Sequence, residues 1–193
     1  MIPSGTGTKT RASLEIDAAA GLVRGARFVA SPNFDARPAG MQIDTLVIHS
    51  ISLPPGKFGG PGIEQLFCNS LNSDEHTYYM GIKDLKVSAH LLIRRTGELI
   101  QFVPLHFRAW HAGLSCCDGR SGVNDFSIGI ELEGTDHLPF ENAQYESLVG
   151  ITRVIQQVYP VTPERIYGHS DIAPGRKSDP GSLFDWKRYL DAG

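Results

Sequence analysis

The sequence lacks a disulfide framework: its cysteines are Cys68, Cys116 and Cys117, an odd number with two of them adjacent. That usage excludes the small cross-linked secreted class and suits a reducing compartment, with Cys116 and Cys117 read as two packed or idle thiols. No stretch approaches the roughly 18 consecutive apolar residues of a membrane span. The opening MIPSGTGTKTRASLEID has no apolar core of a secretory signal. These absences together point to the cytoplasm. Neither sign of charge is in large excess, since 18 Lys and Arg against 21 Asp and Glu give a formal net charge of -3. The basic footprint of a nucleic-acid or anionic-membrane partner is therefore missing. The expected partner is a small molecule or a neutral polymer, bound by a monomer.

What is present is ordinary globular material, 41% hydrophobic and 20% charged over 193 residues. That length suits one domain with a sizeable core. Residues 1–17, polar and rich in Gly and Thr, read as a flexible arm or an appended remnant, and residues 18–193 as the domain. Thr45–His49 is a short β-branched and apolar run, read as a central strand with Thr45, Val47 and His49 on one face. Pro and Gly exclude regular structure over Ser52–Gly62. A helix of about two turns is expected over Ile63–Leu71. Ala89–Arg95 and Glu98–Val103, joined at Thr96-Gly97, predict a β-hairpin.

Phe126–Glu133 is read as a third core strand, with Ile128, Ile130 and Leu132 on one face and Gly129, Glu131 and Glu133 on the other. Asn142–Val158 carries Tyr145, Leu148, Val149, Thr152, Ile155 and Val158 at helical spacing, and Pro160 marks its end. A short strand at Ile166-Tyr167 and a helix over Leu183–Leu190 complete the chain. The fold class is α/β: one domain, a central mixed β-sheet flanked by helices, with a cleft at the strand ends.

The densest chemistry lies in YGHSDIAPGRKSDPGSLFD, Tyr167 to Asp185, whose Gly and Pro content suits neither helix nor strand. Loops on a rigid scaffold commonly carry binding and catalysis. Zinc hydrolases bind their metal through three protein ligands from His, Asp or Glu and leave a position open. His169 and Asp179 can curl onto one ion, and His49, at a strand end, is a third candidate. On spacing alone a surface or capping pair is the commoner arrangement.

These residues stand in longer motifs. His49 in VIHSISLPPG, Trp110 in RAWHAG, Glu131 in DFSIGIELEGTD, and His169, Lys177 and Asp179 in GHSDIAPGRKSDPG resemble the N-acetylmuramoyl-L-alanine amidases of the AmpD type. That group belongs to a wider one with a phage lysozyme and the peptidoglycan recognition proteins. The resemblance runs from about Gly21 to the C-terminal helix. It implies one zinc ion on His49, His169 and Asp179, with Glu131 as general base and Lys177 as the cation that stabilises the tetrahedral intermediate. The implied substrate is a muropeptide, the 1,6-anhydro-N-acetylmuramoyl peptide of cell-wall recycling, cut between the lactyl group and L-alanine. Removing that peptide also implies a lowered signal for β-lactamase induction.

Substrate contacts are expected from Ser50, Lys86, Trp110, His111 and Arg120, with Trp110 and His111 as a wall for the sugar and Lys86 or Arg120 for peptide carboxylates. Two positions depart from the family pattern, Ser50 in place of Asn and Lys86 in place of Arg. Lys lacks the bidentate fork of Arg, so these changes bear on affinity for the stem peptide. Glu133 shares the face of Glu131 and is the competing base, and Asp171 is read as a brace of the loop. His76, His90, His106 and His137 are read as structural or surface residues, with His90 the one expected to border the cleft. Two other functions fit the same family: an amidase acting on polymeric peptidoglycan, and a binding module without catalysis.

Overall fold

A computed structural model describes residues 13–192. In chain order its elements are β1 (Glu15–Asp17), β2 (Leu22–Arg24), β3 (Arg27–Phe28), β4 (Phe34–Asp35), β5 (Thr45–Ile51), α1 (Gly62–Phe67), β6 (Leu91–Ile93), β7 (Leu99–Gln101), β8 (Arg108–Ala109), β9 (Cys116–Cys117), β10 (Arg120–Ser121), β11 (Ser127–Glu133), α2 (Asn142–Val158), β12 (Ile166–Gly168), α3 (His169–Ile172) and α4 (Trp186–Asp191). The main sheet has the order β12-β5-β11-β6-β7-β3. β12, β5, β11 and β6 run parallel, β7 is antiparallel to β6, and β3 is parallel to β7. The sheet is mixed, as expected.

Parallel strands covered on both faces need apolar residues on both. β11 is buried at all seven positions and β5 through His49. On one face Leu46, Ile48, Ile128, Ile130 and Leu132 pack with Tyr145, Leu148, Ile151 and Ile155 of α2 and with Tyr189 of α4. Each such Leu or Ile contributes roughly 1.5–3 kcal/mol by leaving water. The other face packs Leu92, Ile100 and Phe102 against Ile63, Leu66 and Phe67 of α1. That second face also carries Val47 and, further along, His49, Glu131 and Glu133.

α2 occupies the span its periodicity predicts, and a capping box of Glu141 and Gln144 starts it. Gln144, fully buried, also donates to the carbonyls of Ile93 and Glu133 at 3.3 and 3.0 Å, tying the helix to two strand ends. Val158 is 40% exposed, so the apolar stripe stops at Ile155.

Several boundaries differ from the expectation. α1 ends at Phe67 rather than Leu71, because Asn69 takes φ 57° and the amides of Asn69 and Ser70 bond the carbonyls of Leu66 and Gln65. That is a Schellman close, which stops a helix. α4 starts at Trp186 rather than Leu183, since the Asp185 carboxylate accepts from the amide of Arg188 at 2.9 Å and caps it. The hairpin forms with shorter strands, and Gly97 turns it at φ 81°.

The arm expected over 1–17 lies outside the described residues at 1–12, but 15–17 form β1. Ile16 is buried there and pairs with Val23, which anchors the segment to the core. Cys68, Cys116 and Cys117 are unpaired thiols. Among the described residues no helix is long and apolar enough to cross a membrane.

Candidate active site

The cleft forms at the carboxyl ends of β5, β11 and β12, where open α/β sheets place ligands. His49 on β5 and Glu131 on β11 are direct register partners. Gly168 on β12 is the partner of Ile48, which brings His169, the next residue, beside His49. The loop read as irregular begins with a single helical turn, α3, a correction to the expectation. Asp171 braces that turn as expected, its carboxylate accepting from the Gly168 amide at 2.7 Å. The amide of Lys177 then bonds the Ala173 carbonyl, and that of Ser170 the Asp179 carbonyl, so Asp179 returns to His169. Gly181, at φ 88°, closes the loop against Asp136, where a Cβ would meet the Asp136 backbone at 2.4 Å.

Three donor atoms converge. His49 Nδ1 lies 2.9 Å from His169 Nδ1 and 3.3 Å from an Asp179 carboxylate oxygen, which is 3.0 Å from His169 Nδ1. Tetrahedral coordination with bonds of about 2.0–2.1 Å sets ligand atoms about 3.3 Å apart, so the trio has the spacing of a metal site. Its chemistry fits as well. Burial lowers the His49 pKa to about 4, partly opposed by Asp179, so the imidazole is neutral near pH 7. His169 Nε2 sits 3.2 Å from the Ala112 carbonyl, an acceptor only, which can take the ring proton and leave Nδ1, 3.0 Å from the Asp179 carboxylate, free to face a cation. The group could hold a metal ion.

Glu131 is 9% exposed, and its Oε2 has no hydrogen-bond partner. Burial raises its carboxyl well above the ordinary 4.5, Asp179 adds to the rise and Lys177 opposes it. A carboxyl that prefers its proton yet faces a cleft is suited to proton transfer. Glu133, on the same face, is fully engaged: it accepts from Arg94 at 2.8 Å, the Gly59 amide at 2.7 Å and the Arg95 amide at 3.2 Å. Both of its oxygens are thus taken by donors, in contrast to Oε2 of Glu131.

Two lobes of about 210 and 230 Å³ make the cleft, and both are lined by Trp110, His111, His169 and Lys177. Ser50, Leu85, Glu131 and Asp179 also line the larger lobe. Lys86, Asn124 and Arg176 also line the smaller, which no carboxylate lines. A cavity of about 500 Å³ elsewhere, between Leu14, Arg27, Leu99 and Val154, contains none of these donors.

The sequence profile of the N-acetylmuramoyl-L-alanine amidases matches residues 39–182, which include every one of these site residues. The chain belongs to that amidase family. The amidase is 52% identical to the 1,6-anhydro-N-acetylmuramyl-L-alanine amidase AmpD of Escherichia coli, over 88% of this chain and 92% of the relative. A crystal structure of a selenomethionine AmpD derivative superposes with a TM-score of 0.88 at 50% identity, covering 90% of this chain and 97% of the other. The amidase AmiD of Escherichia coli, solved with anhydro-N-acetylmuramic acid-L-Ala-D-gamma-Glu-L-Lys as substrate, has a TM-score of 0.58 at 29% identity. It is matched over 94% of this chain and 66% of its own.

In the amidase fold, Lys86, Trp110 and Lys177 stand at the cleft. Arg120 does not. It pairs with Asp44 at 2.8 Å and lies 3.8 Å over the Phe126 ring, at the amino end of β5, about 17 Å of strand from His49. His111 lines the cleft, but its ring nitrogens are already engaged, Nδ1 at 2.9 Å from His49 Nε2 and Nε2 at 3.1 Å from Ser127 Oγ. Ser50 donates to Asp136 at 3.3 Å.

His90 is buried beside His111, its Nδ1 accepting from the Gly129 amide. His76 caps a short 3-10 turn at Thr77–Gly81, and His106 packs at a tilt against Phe107. Sequence reading missed Asn124 and Arg176. Arg176 donates to the carbonyls of Ala112 and Leu114 at 2.7 and 2.6 Å, and its place beside Lys177 in the ligand loop was the available signal.

Proposed function

We propose that this chain is a zinc amidase that cleaves 1,6-anhydro-N-acetylmuramoyl peptides between the lactyl group and L-alanine. The observation that carries the reading is the convergence of two imidazole nitrogens and a carboxylate beside a buried carboxyl with an unpartnered oxygen. His49, His169 and Asp179 would hold the ion. Zinc, when bound, supplies a Lewis acid that lowers the pKa of water to about 7 and polarises the scissile carbonyl. Its charge would also draw the Glu131 carboxyl back toward ionisation.

The chain's own residues supply the rest. Glu131 takes a proton from the attacking water as its oxygen bonds the carbonyl carbon. The same carboxyl then gives that proton to the leaving nitrogen of L-alanine as the carbon–nitrogen bond breaks. Proton transfer of this kind contributes about 10²- to 10⁴-fold. Lys177 offers positive charge to the developing oxyanion, a contribution of about 10²- to 10³-fold. Trp110 gives the sugar a flat apolar wall, and the stem carboxylates face Lys86. The proposed setting, resting on the family resemblance, is a cytoplasmic monomer that recycles wall fragments and so lowers the β-lactamase-inducing signal.

Chelation is expected to abolish activity and added zinc to restore it; turnover that survives complete metal removal would overturn the metal reading. Peptide should be released from anhydro-muropeptide in preference to intact sacculi. Release from sacculi alone would point to a polymer amidase, and activity on neither would leave a binding module.

A further inference from the structure

The chain of contacts behind His49 has a direction, and a main-chain carbonyl sets it. Ser127 Oγ lies 2.7 Å from the Val123 carbonyl, which can only accept, so the hydroxyl hydrogen points there. The same oxygen must then accept from His111 Nε2, at 3.1 Å, which places a proton on that nitrogen. In a neutral imidazole His111 Nδ1 is consequently bare, and at 2.9 Å it accepts from His49 Nε2. His49 Nδ1, the atom that faces His169 and Asp179, is left with its lone pair.

The neighbouring residue performs the same task for the other imidazole, because the Ala112 carbonyl receives the His169 Nε2 proton at 3.2 Å. One dipeptide, His111-Ala112, thus sets the tautomer of both histidines. It is clamped in place. Asn124 Oδ1 accepts from the amides of His111 and Ala112 at 3.2 and 2.8 Å. Arg37 donates to the carbonyls of Asn124, Asp125 and Ser127 at 2.9, 3.0 and 2.8 Å, holding the strand that carries Ser127. Gly129 leaves the room: a Cβ there would stand 2.5 to 2.8 Å from three atoms of the His111 ring.

We propose that His111 is a positioning residue, which through Ser127 fixes His49 with Nδ1 bare and so sets the zinc affinity of the site. It acts through His49, not on substrate. The inference rests on the metal reading above. Losing a partner that orients a ligand histidine typically costs about 10- to 100-fold in metal affinity.

The test is zinc affinity, measured by competition with a chromophoric chelator on the full chain. His111→Phe, which fills the space without an acceptor, is expected to weaken zinc binding about 10- to 100-fold while leaving thermal unfolding of the metal-free protein close to the parent's. His111→Asn, whose amide oxygen can stand near the place of Nδ1, should recover most of the affinity. Equal loss in both variants would mean a packing role and overturn the proposal, as would zinc bound as tightly as in the parent. Nitrogen NMR of the zinc-loaded parent is independent of any variant: His111 should be neutral with its proton on Nε2, and a proton on Nδ1 would overturn it. A parent that binds no zinc would bring down the metal reading itself, a result distinct from these.

Discussion

Glu131 and His49 face each other across adjacent parallel strands, in direct register, with side chains leaving the same face of the sheet. The spacing between this carboxyl and a metal-type donor is therefore set by the sheet ladder, not by a loop. A carboxyl held there is buried without a partner for Oε2, an arrangement that costs stability and is retained at sites of chemistry.

Glu131→Gln is expected to lower turnover by about 10²-fold or more with zinc still bound. Because the folded carboxyl is raised above its ordinary value, its contribution to stability is full below about pH 4.5 and lost as pH rises. The neutral Gln does not incur that loss. Metal-free Glu131→Gln should therefore unfold at higher temperature than the parent at pH 7 and show no advantage at pH 4. Near-normal turnover would transfer the proton role elsewhere.

Asp179→Ala removes the one carboxylate of the donor trio and should reduce bound zinc well below one per chain in metal analysis. An unchanged stoichiometry would mean that another side chain completes the site.

Acid should weaken the metal-free fold through its buried imidazoles. Burial lowers His49 to about 4 and His90 to about 3, while the unfolded chain takes up protons near 6.5. Their stabilisation is complete above about pH 6.5 and falls by about 1.4 kcal/mol per group per pH unit as pH drops toward 4. Glu131 acts in the opposite sense above pH 4.5, so the acid limb should be steeper in Glu131→Gln. Thermal unfolding from pH 7 to 4 reads this directly. A flat profile would mean that these imidazoles are charged or solvated in the folded chain.

Glu133→Ala separates the two glutamates of β11. It strips a carboxylate from Arg94, which is 7% exposed and keeps Glu64 as its other ion-pair partner among the described residues. The expected cost is about 3 kcal/mol of stability by denaturant unfolding, with zinc binding and turnover retained at low temperature. Loss of turnover without loss of stability would give Glu133 a place in the chemistry.

Much of this molecule follows from local pattern. Alternation in SIGIELE puts Ile128, Ile130 and Leu132 on one face and Glu131 on the other, because a strand repeats every two residues whatever surrounds it. The three-and-four spacing from Tyr145 to Ile155 predicts α2, and the motifs around His49, His169 and Asp179 carry the family resemblance into the donor trio.

Pairings across the fold are another matter. Arg120 and Lys86 are equally plausible carboxylate hands by residue type, yet strand direction sends Arg120 to the amino end of β5 and Lys86 to the cleft. Glu131 and Glu133 are indistinguishable by alternation, and the approach of Arg94, Arg95 and Gly59 to Glu133 separates them. What holds the two nitrogens of His111 is not legible in the sequence: Ser127 stands sixteen residues on, and His49 sixty-two residues back. Periodicity is a property of consecutive residues, which the sequence contains. The direction of a proton between three side chains depends on strand order and loop path, which only the assembled fold decides.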